Sequence, residues 1–201
     1  MPSETDIANA ALRYLGADTI TSFTQGTNEA NAVNDLYSDL RDALLRAHNW
    51  NFATKKVALA ESSTAPAYEF DNAFSLPSDW LRTVAVHDND AGTGTFLYRM
   101  IQVGGQRVIE TDVENVWLTY IARETDPNIM TADFRRLLAY TLASEMAVDL
   151  TSSNTLQDQL ARKADRLMAQ ARSADGMGSF PRQRPRGSWA SSRHGLQRWP
   201  D

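Results

Sequence analysis

The apolar positions of the first fifty residues recur at three- and four-residue steps. Ile7, Ala11 and Leu15, flanked by Ala8 and Leu12, form one stripe, which predicts a helix over residues 3–15. Ser3 is placed to cap it, with Asp6 as a box-like partner three positions on, and Gly16 is placed to stop it. A second stripe of Val33, Leu36, Tyr37, Leu40, Leu44 and Ala47 predicts a longer helix over residues 28–48. Its other face is charged, with Asp35, Asp39, Arg41, Asp42 and Arg46. It runs into Trp50-Asn51-Phe52-Ala53, whose two aromatic rings read as core anchors.

The period then changes. Residues 53–60 fit a short strand. Leu76-Pro77-Ser78-Asp79-Trp80 reads as a turn leading into a strand over 81–86, and residues 88–94 as a polar loop. Residues 95–103 and 106–111 flank Gly104-Gly105, a two-residue hairpin signal, and residues 116–122 make a further strand containing Trp117, Tyr120 and Ile121. Trp80 and Trp117 are assigned structural roles. Three to five antiparallel strands amount to one small sheet inserted between helical segments.

Helical spacing returns after Asp126-Pro127, with Thr131 or Asp133 starting a helix that runs through Leu150. Between Leu137 and Val148 only Thr141, Ser144 and Glu145 are polar, apart from the amphipathic Tyr140. A helix apolar nearly all round is buried, in the middle of a bundle or between subunits. A fourth helix follows residues 151–154 and runs to about residue 174, with Leu156, Leu160, Leu167 and Ala171 as its stripe and a charged outer face. The expected fold class is mainly α: a four-helix bundle with a small antiparallel β insertion and an extended C-terminal arm. The body spans 1–175, helical at 3–50 and 131–175 with the insertion at about 53–122, and the arm spans 176–201.

Charge sharpens the contrast between body and arm. The 201 residues carry a formal charge of −5, yet residues 176–201 hold five Arg, no Lys and a single acid, Asp201. Three Pro and four Gly exclude a regular helix there, and one Leu cannot build a core. Phe180, Trp189 and Trp199 are spaced among Arg182, Arg184, Arg186, Arg193 and Arg198. A segment unable to bury its own aromatics, yet rich in Arg, reads as an arm that docks on an acidic protein groove or a nucleic acid. No cysteine is present, which removes disulfides and thiolate metal sites. No run of 18 apolar residues suits a membrane span, and the acidic start, Met1 to Asp6, lacks the layout of a signal peptide.

Catalytic chemistry finds little footing. His48, His87 and His194 lie in three separate segments, none at metal-ligand spacing from a second ligand. His48 at a helix C-terminus is explained by the helix dipole. Asp88-Asn89-Asp90-Ala91-Gly92 has the look of a calcium loop without its spaced Glu, so it reads as a solvated turn. No phosphate-binding or nucleophile motif occurs. The chain is read as a non-enzyme, with no catalytic residue, cofactor or metal ligand assigned.

Taken in order, several short motifs form a sequence of their own: Leu15-Gly16; Trp50-Asn51-Phe52-Ala53; Leu76-Pro77-Ser78-Asp79-Trp80-Leu81-Arg82; a hairpin and a Tyr-bearing strand; Asp126-Pro127 to Phe134; Leu138-Ala139-Tyr140-Thr141-Leu142-Ala143-Ser144-Glu145-Met146-Ala147; and Ala171-Arg172-Ser173-Ala174-Asp175. This order resembles the head-to-tail adaptors of short-tailed bacteriophages, the family of tail tubular protein A, over residues 3–175. The resemblance implies a helical bundle with a small β insertion and a ring of twelve copies. One face of the ring binds the dodecameric portal protein and the other receives the tail nozzle protein, at the head–tail junction of a virion assembled in the host cytoplasm. It implies that genomic DNA passes through the lumen without specific binding, that no membrane is involved, and that the arm reaches the portal. The expected portal-binding residues are Phe180, Arg182, Arg184, Arg186, Trp189, Arg193, Arg198 and Trp199. The alternative is an intracellular nucleic-acid-binding protein that uses the same arm to stack on bases and neutralise phosphates.

Overall fold

The computed structural model describes residues 1–178. The chain runs α1 (Glu4–Leu15), α2 (Asn28–Arg46), a 3-10 turn (Asn51–Ala53), β1 (Thr54–Ala58), β2 (Asn72–Ser75), β3 (Trp80–His87), β4 (Tyr98–Val103), β5 (Gln106–Thr111), β6 (Trp117–Ala122), α3 (Ala132–Thr151) and α4 (Asn154–Met177). The helix boundaries follow local chemistry. The Ser3 hydroxyl accepts from the Asp6 N–H, the Asp6 carboxylate accepts from the Ser3 N–H at 2.9 Å, and Gly16 closes α1 at φ 71. Thr27, Thr131 and Ser153 cap α2, α3 and α4 in the same way.

Helix α3 is the axis of the helical layer, in contact with α1, α2 and α4. Phe134, Leu137, Leu138, Leu142, Ala143, Met146 and Ala147 are all buried, so the expected burial is met inside one chain. At the far end of α2, Trp50 is fully buried. Its ring meets Phe134 edge-on at 5.2 Å, and its indole N–H donates to the Leu44 carbonyl at 2.9 Å.

The expected class, a mainly α four-helix bundle with one small β insertion, is not what forms. The fold is mixed α/β; the described residues are about 44% helix and 20% strand, and their six strands make two three-stranded antiparallel sheets. One sheet has the order β1-β6-β3 and the other β2-β5-β4. The first sheet is apolar on both faces: Ile121 and Leu81 join the helical core, while Leu118, Tyr120, Ala122 and Val86 pack against Phe74 and Ile109 of the second sheet. Helices, first sheet and second sheet are therefore stacked layers, and the β part has a core of its own. Strand β2 was not expected. Its four residues sit in a Ser-, Thr-, Ala- and Pro-rich stretch and are organised by pairing with β5. The hairpin at Gly104-Gly105 forms as expected, with φ of 57 and 84 that residues bearing a Cβ rarely adopt.

A charged network ties the strands of the first sheet to the turn that precedes β3. Asp79 accepts from the Tyr120 hydroxyl at 2.9 Å and from the Lys55 ammonium at 2.8 Å. Burial alone raises the Asp79 carboxyl, but the bonds from Lys55 and Tyr120 together outweigh it and hold it below 3.8. Tyr120 is pushed up to about 12 by burial and by its bond to Asp79, and Lys55 is raised mainly by its bond to Asp79. The depressed carboxyl contributes stability that is complete above pH 3.8 and is lost as pH falls through its folded value. Lys55 and Tyr120 contribute below about pH 10, and that contribution is lost as pH rises through their raised values. Asp79→Asn is thus expected to cost about 1 kcal/mol at neutral pH. The difference in urea midpoint from the parent is expected to be flat from about pH 5 to 9 and to shrink on either side. A difference independent of pH would remove the charge from this account.

Candidate interaction surface at the root of the C-terminal segment

The eight residues expected to bind a partner, Phe180, Arg182, Arg184, Arg186, Trp189, Arg193, Arg198 and Trp199, all lie outside the described residues. What the structure does describe is the platform from which that segment leaves. Helix α4 continues to Met177, past the expected end near residue 174, and its last turn lies against the end of α2.

The junction is built by polar groups far apart in sequence. The Asp175 carboxylate, its side chain only 7% exposed, accepts from the Asn51 backbone N–H at 3.1 and 3.2 Å and lies 3.4 Å from His48 Nε2. The Asn51 side-chain amide donates to the Asp175 carbonyl at 2.7 Å, and Arg172 donates to the Ala47 carbonyl at 3.0 Å. Beneath these bonds the His48 ring meets Trp50 edge-on at 4.8 Å. The Ala47 carbonyl at the end of α2 and the Asp175 carbonyl near the end of α4 thereby each gain a side-chain donor from across the junction. His48, explained from sequence by the helix dipole, has a second partner in Asp175. No periodicity pointed to this pairing, because its two halves are 124 positions apart.

Two further concave surfaces lie on the β part of the fold. The outer end of the first sheet, beyond the helices, forms a groove of about 320 Å³ lined by Lys56, Ala58, His87, Trp117 and the loop at residues 89–92. His87 Nδ1 is 3.0 Å from the Gly94 carbonyl, which pins that loop against the strand. Trp117, given a structural role from sequence, is half-buried here. The second surface is a cleft of about 400 Å³ beside Trp80, lined by Ser75, Ser78, Gln106, Arg107 and Arg123. Neither arginine was singled out from sequence, because Arg107 stands in β5 and Arg123 just after β6, and they line one cleft only through the stacking of the two sheets.

Among the described residues, no group of three or more His, Cys, Asp or Glu is placed to hold a metal ion, and no helix is long and apolar enough to cross a membrane. Comparison of the chain with known protein families and with curated proteins finds no match. The functional reading therefore stands on the order of the motifs and on the geometry of these surfaces.

Proposed function

We propose that the chain is a subunit of a head-to-tail adaptor of a short-tailed phage, forming a ring that binds the portal and links it to the tail nozzle. The observation that carries this reading is the locked end of α4. Four hydrogen bonds tie Asp175 and Arg172 to the end of α2, so residues 179–201 leave a rigid helical body at one defined point. An Arg- and Trp-rich segment held at its root is suited to clasp a neighbouring molecule. Its 23 residues reach at most about 76–83 Å when extended, at roughly 3.3–3.6 Å each. The body carries fifteen basic and twenty-four acidic residues, a charge of −9 over 1–178, and a lumen of that sign repels DNA and lets it slide.

A chain ending at Gly178 is expected to keep the parent's melting temperature and circular dichroism. Its co-sedimentation with purified cognate portal rings is expected to weaken at least tenfold. Electron micrographs of the full-length protein with portal are expected to contain a ring stacked on a ring. Undiminished portal binding by the truncated chain would overturn the role given to the arm. Steeply salt-dependent DNA binding by the full chain, with no affinity for portal, would instead support the nucleic-acid-binding alternative.

A further inference from the structure

We infer that the open side of the β sandwich, between the edges of β3 and β4, is a docking groove for an extended acidic segment of a protein partner. This does not depend on the adaptor reading. The argument begins with how the strand edges are protected. Proteins guard free edges with charge, bulges or covering chain, because unpaired N–H and C=O groups invite another strand. Edge strand β1 carries Lys55 and Lys56. The outer side of β2 is covered by the chain at 60–62, with Ser62 N–H donating to the Ala73 carbonyl at 2.7 Å and Ser75 N–H to the Ala60 carbonyl at 3.1 Å. Strand β3 is interrupted twice in register, between Trp80 and Arg82 and between Thr83 and Ala85.

Strand β4 has no bulge, and its one charge, Arg99, is already neutralised by Glu69 at 2.6 and 3.0 Å. Its six residues pair with β5 in unbroken register, contain no Pro or Lys, and make no backbone hydrogen bond on the other side among the described residues. Tyr98 and Met100 on it are 39% and 37% exposed, and Leu97 just before it is 77% exposed. These values are high for large apolar side chains beside an open edge.

The groove beside this edge has a defined chemistry. Met100 lies opposite the buried Ile109 and Gln102 lies opposite Arg107, so both point to the inner face of their sheet. The Arg107 guanidinium stacks over the Trp80 ring, 5.0 Å from its centre, and makes no ion pair among the described residues. On one side of this stack is an apolar cleft of about 290 Å³ against Met100 and Ile101. On the other is the polar cleft, which Arg123 also lines, its Nε bonded to Asp42 at 2.7 Å. A guanidinium fork held flat on an indole is preorganised for a carboxylate.

Charge decides between protein and nucleic acid. A single strand of nucleic acid brings a phosphate about every 3.4 Å, and its affinity comes from many cations in a row. Here two guanidiniums, one already paired with Asp42, stand on a body of charge −9. One or two carboxylates on a polypeptide fit; a polyphosphate does not. Pairing along β4 also sets the spacing. Inward side chains alternate, so the segment needs an apolar residue opposite Met100 and an acid two positions away, opposite Gln102 and Arg107.

The test uses the full-length protein and a fluorescein-labelled nonapeptide with Leu-Thr-Asp at its centre, followed by anisotropy. Binding is expected, weakened at least tenfold by Arg107→Ala and equally by Met100→Asp, which places a like charge in the groove. Replacing the peptide's Asp by Asn, or moving it next to the Leu, is expected to have the same effect. The triple variant R182A/R184A/R186A is expected to bind as the parent does. The proposal is overturned if no peptide binds, if the arm variant loses binding while R107A retains it, or if a single-stranded oligonucleotide displaces the peptide in an Arg107-dependent way.

Discussion

Trp50→Ala is expected to destabilise the protein by about 3–5 kcal/mol, the range for deleting a large buried aromatic. At roughly 2–4 °C per kcal/mol for a chain of this size, the melting temperature is expected to fall by about 6–20 °C. The size of the effect follows from where the ring sits. Trp50 has no exposed surface, packs on Phe134 at 5.2 Å and Phe52 at 6.0 Å, and ties its indole N–H to the Leu44 carbonyl. It is the hinge at which α2 ends, the chain turns into the first sheet, and α3 begins its run through the core. Trp50→Phe keeps most of the ring and gives up the hydrogen bond, at an expected cost of about 1–2 kcal/mol. The Leu44 carbonyl still accepts from the Ala47 N–H, so little is left unsatisfied. Equal losses for the two variants in urea unfolding would contradict an account based on ring packing.

The second large effect is expected at Asp175. Asp175→Ala removes the carboxylate that accepts from the Asn51 N–H at the solvent-facing junction after α2, at an expected cost of about 1–2 kcal/mol for charge-assisted bonds that water can partly replace. Hydrogen exchange in the last turn of α4 is expected to speed up more than that of α1, because the loss is local to the junction. Asp175→Asn keeps one acceptor oxygen and is expected to cost about half as much. If exchange at residues 171–177 were unchanged in the Ala variant, Asp175 would not be the clamp that holds the root of the C-terminal segment. If the adaptor proposal holds, the same variant is expected to bind portal more weakly without losing any residue of the arm.

The helical elements were legible because each rests on information a few residues long. The Ser3–Asp6 box, the Gly16 stop, the Thr131 cap and the all-round apolar face of α3 lie within one or two turns of the positions they control. The Gly104-Gly105 hairpin belongs with them, since its turn requires positive φ at two successive residues. By itself, then, the sequence determined that four helices form and where each lies to within about three residues at its ends, that α3 would be buried, and that the last 26 residues differ in charge and composition from the body.

Only the tertiary structure decided how the strands divide. Period-two alternation marks a strand but not its partner, and a strand apolar on both faces, as β6 is, reads the same in one sheet or between two layers. The division into two stacked sheets, and with it a mixed α/β class, came from long-range pairing. So did both surfaces on which function is argued. Asp175 meets Asn51 and Arg107 meets Trp80 across separations that no local spacing encodes, because side chains become neighbours only after the layers have packed.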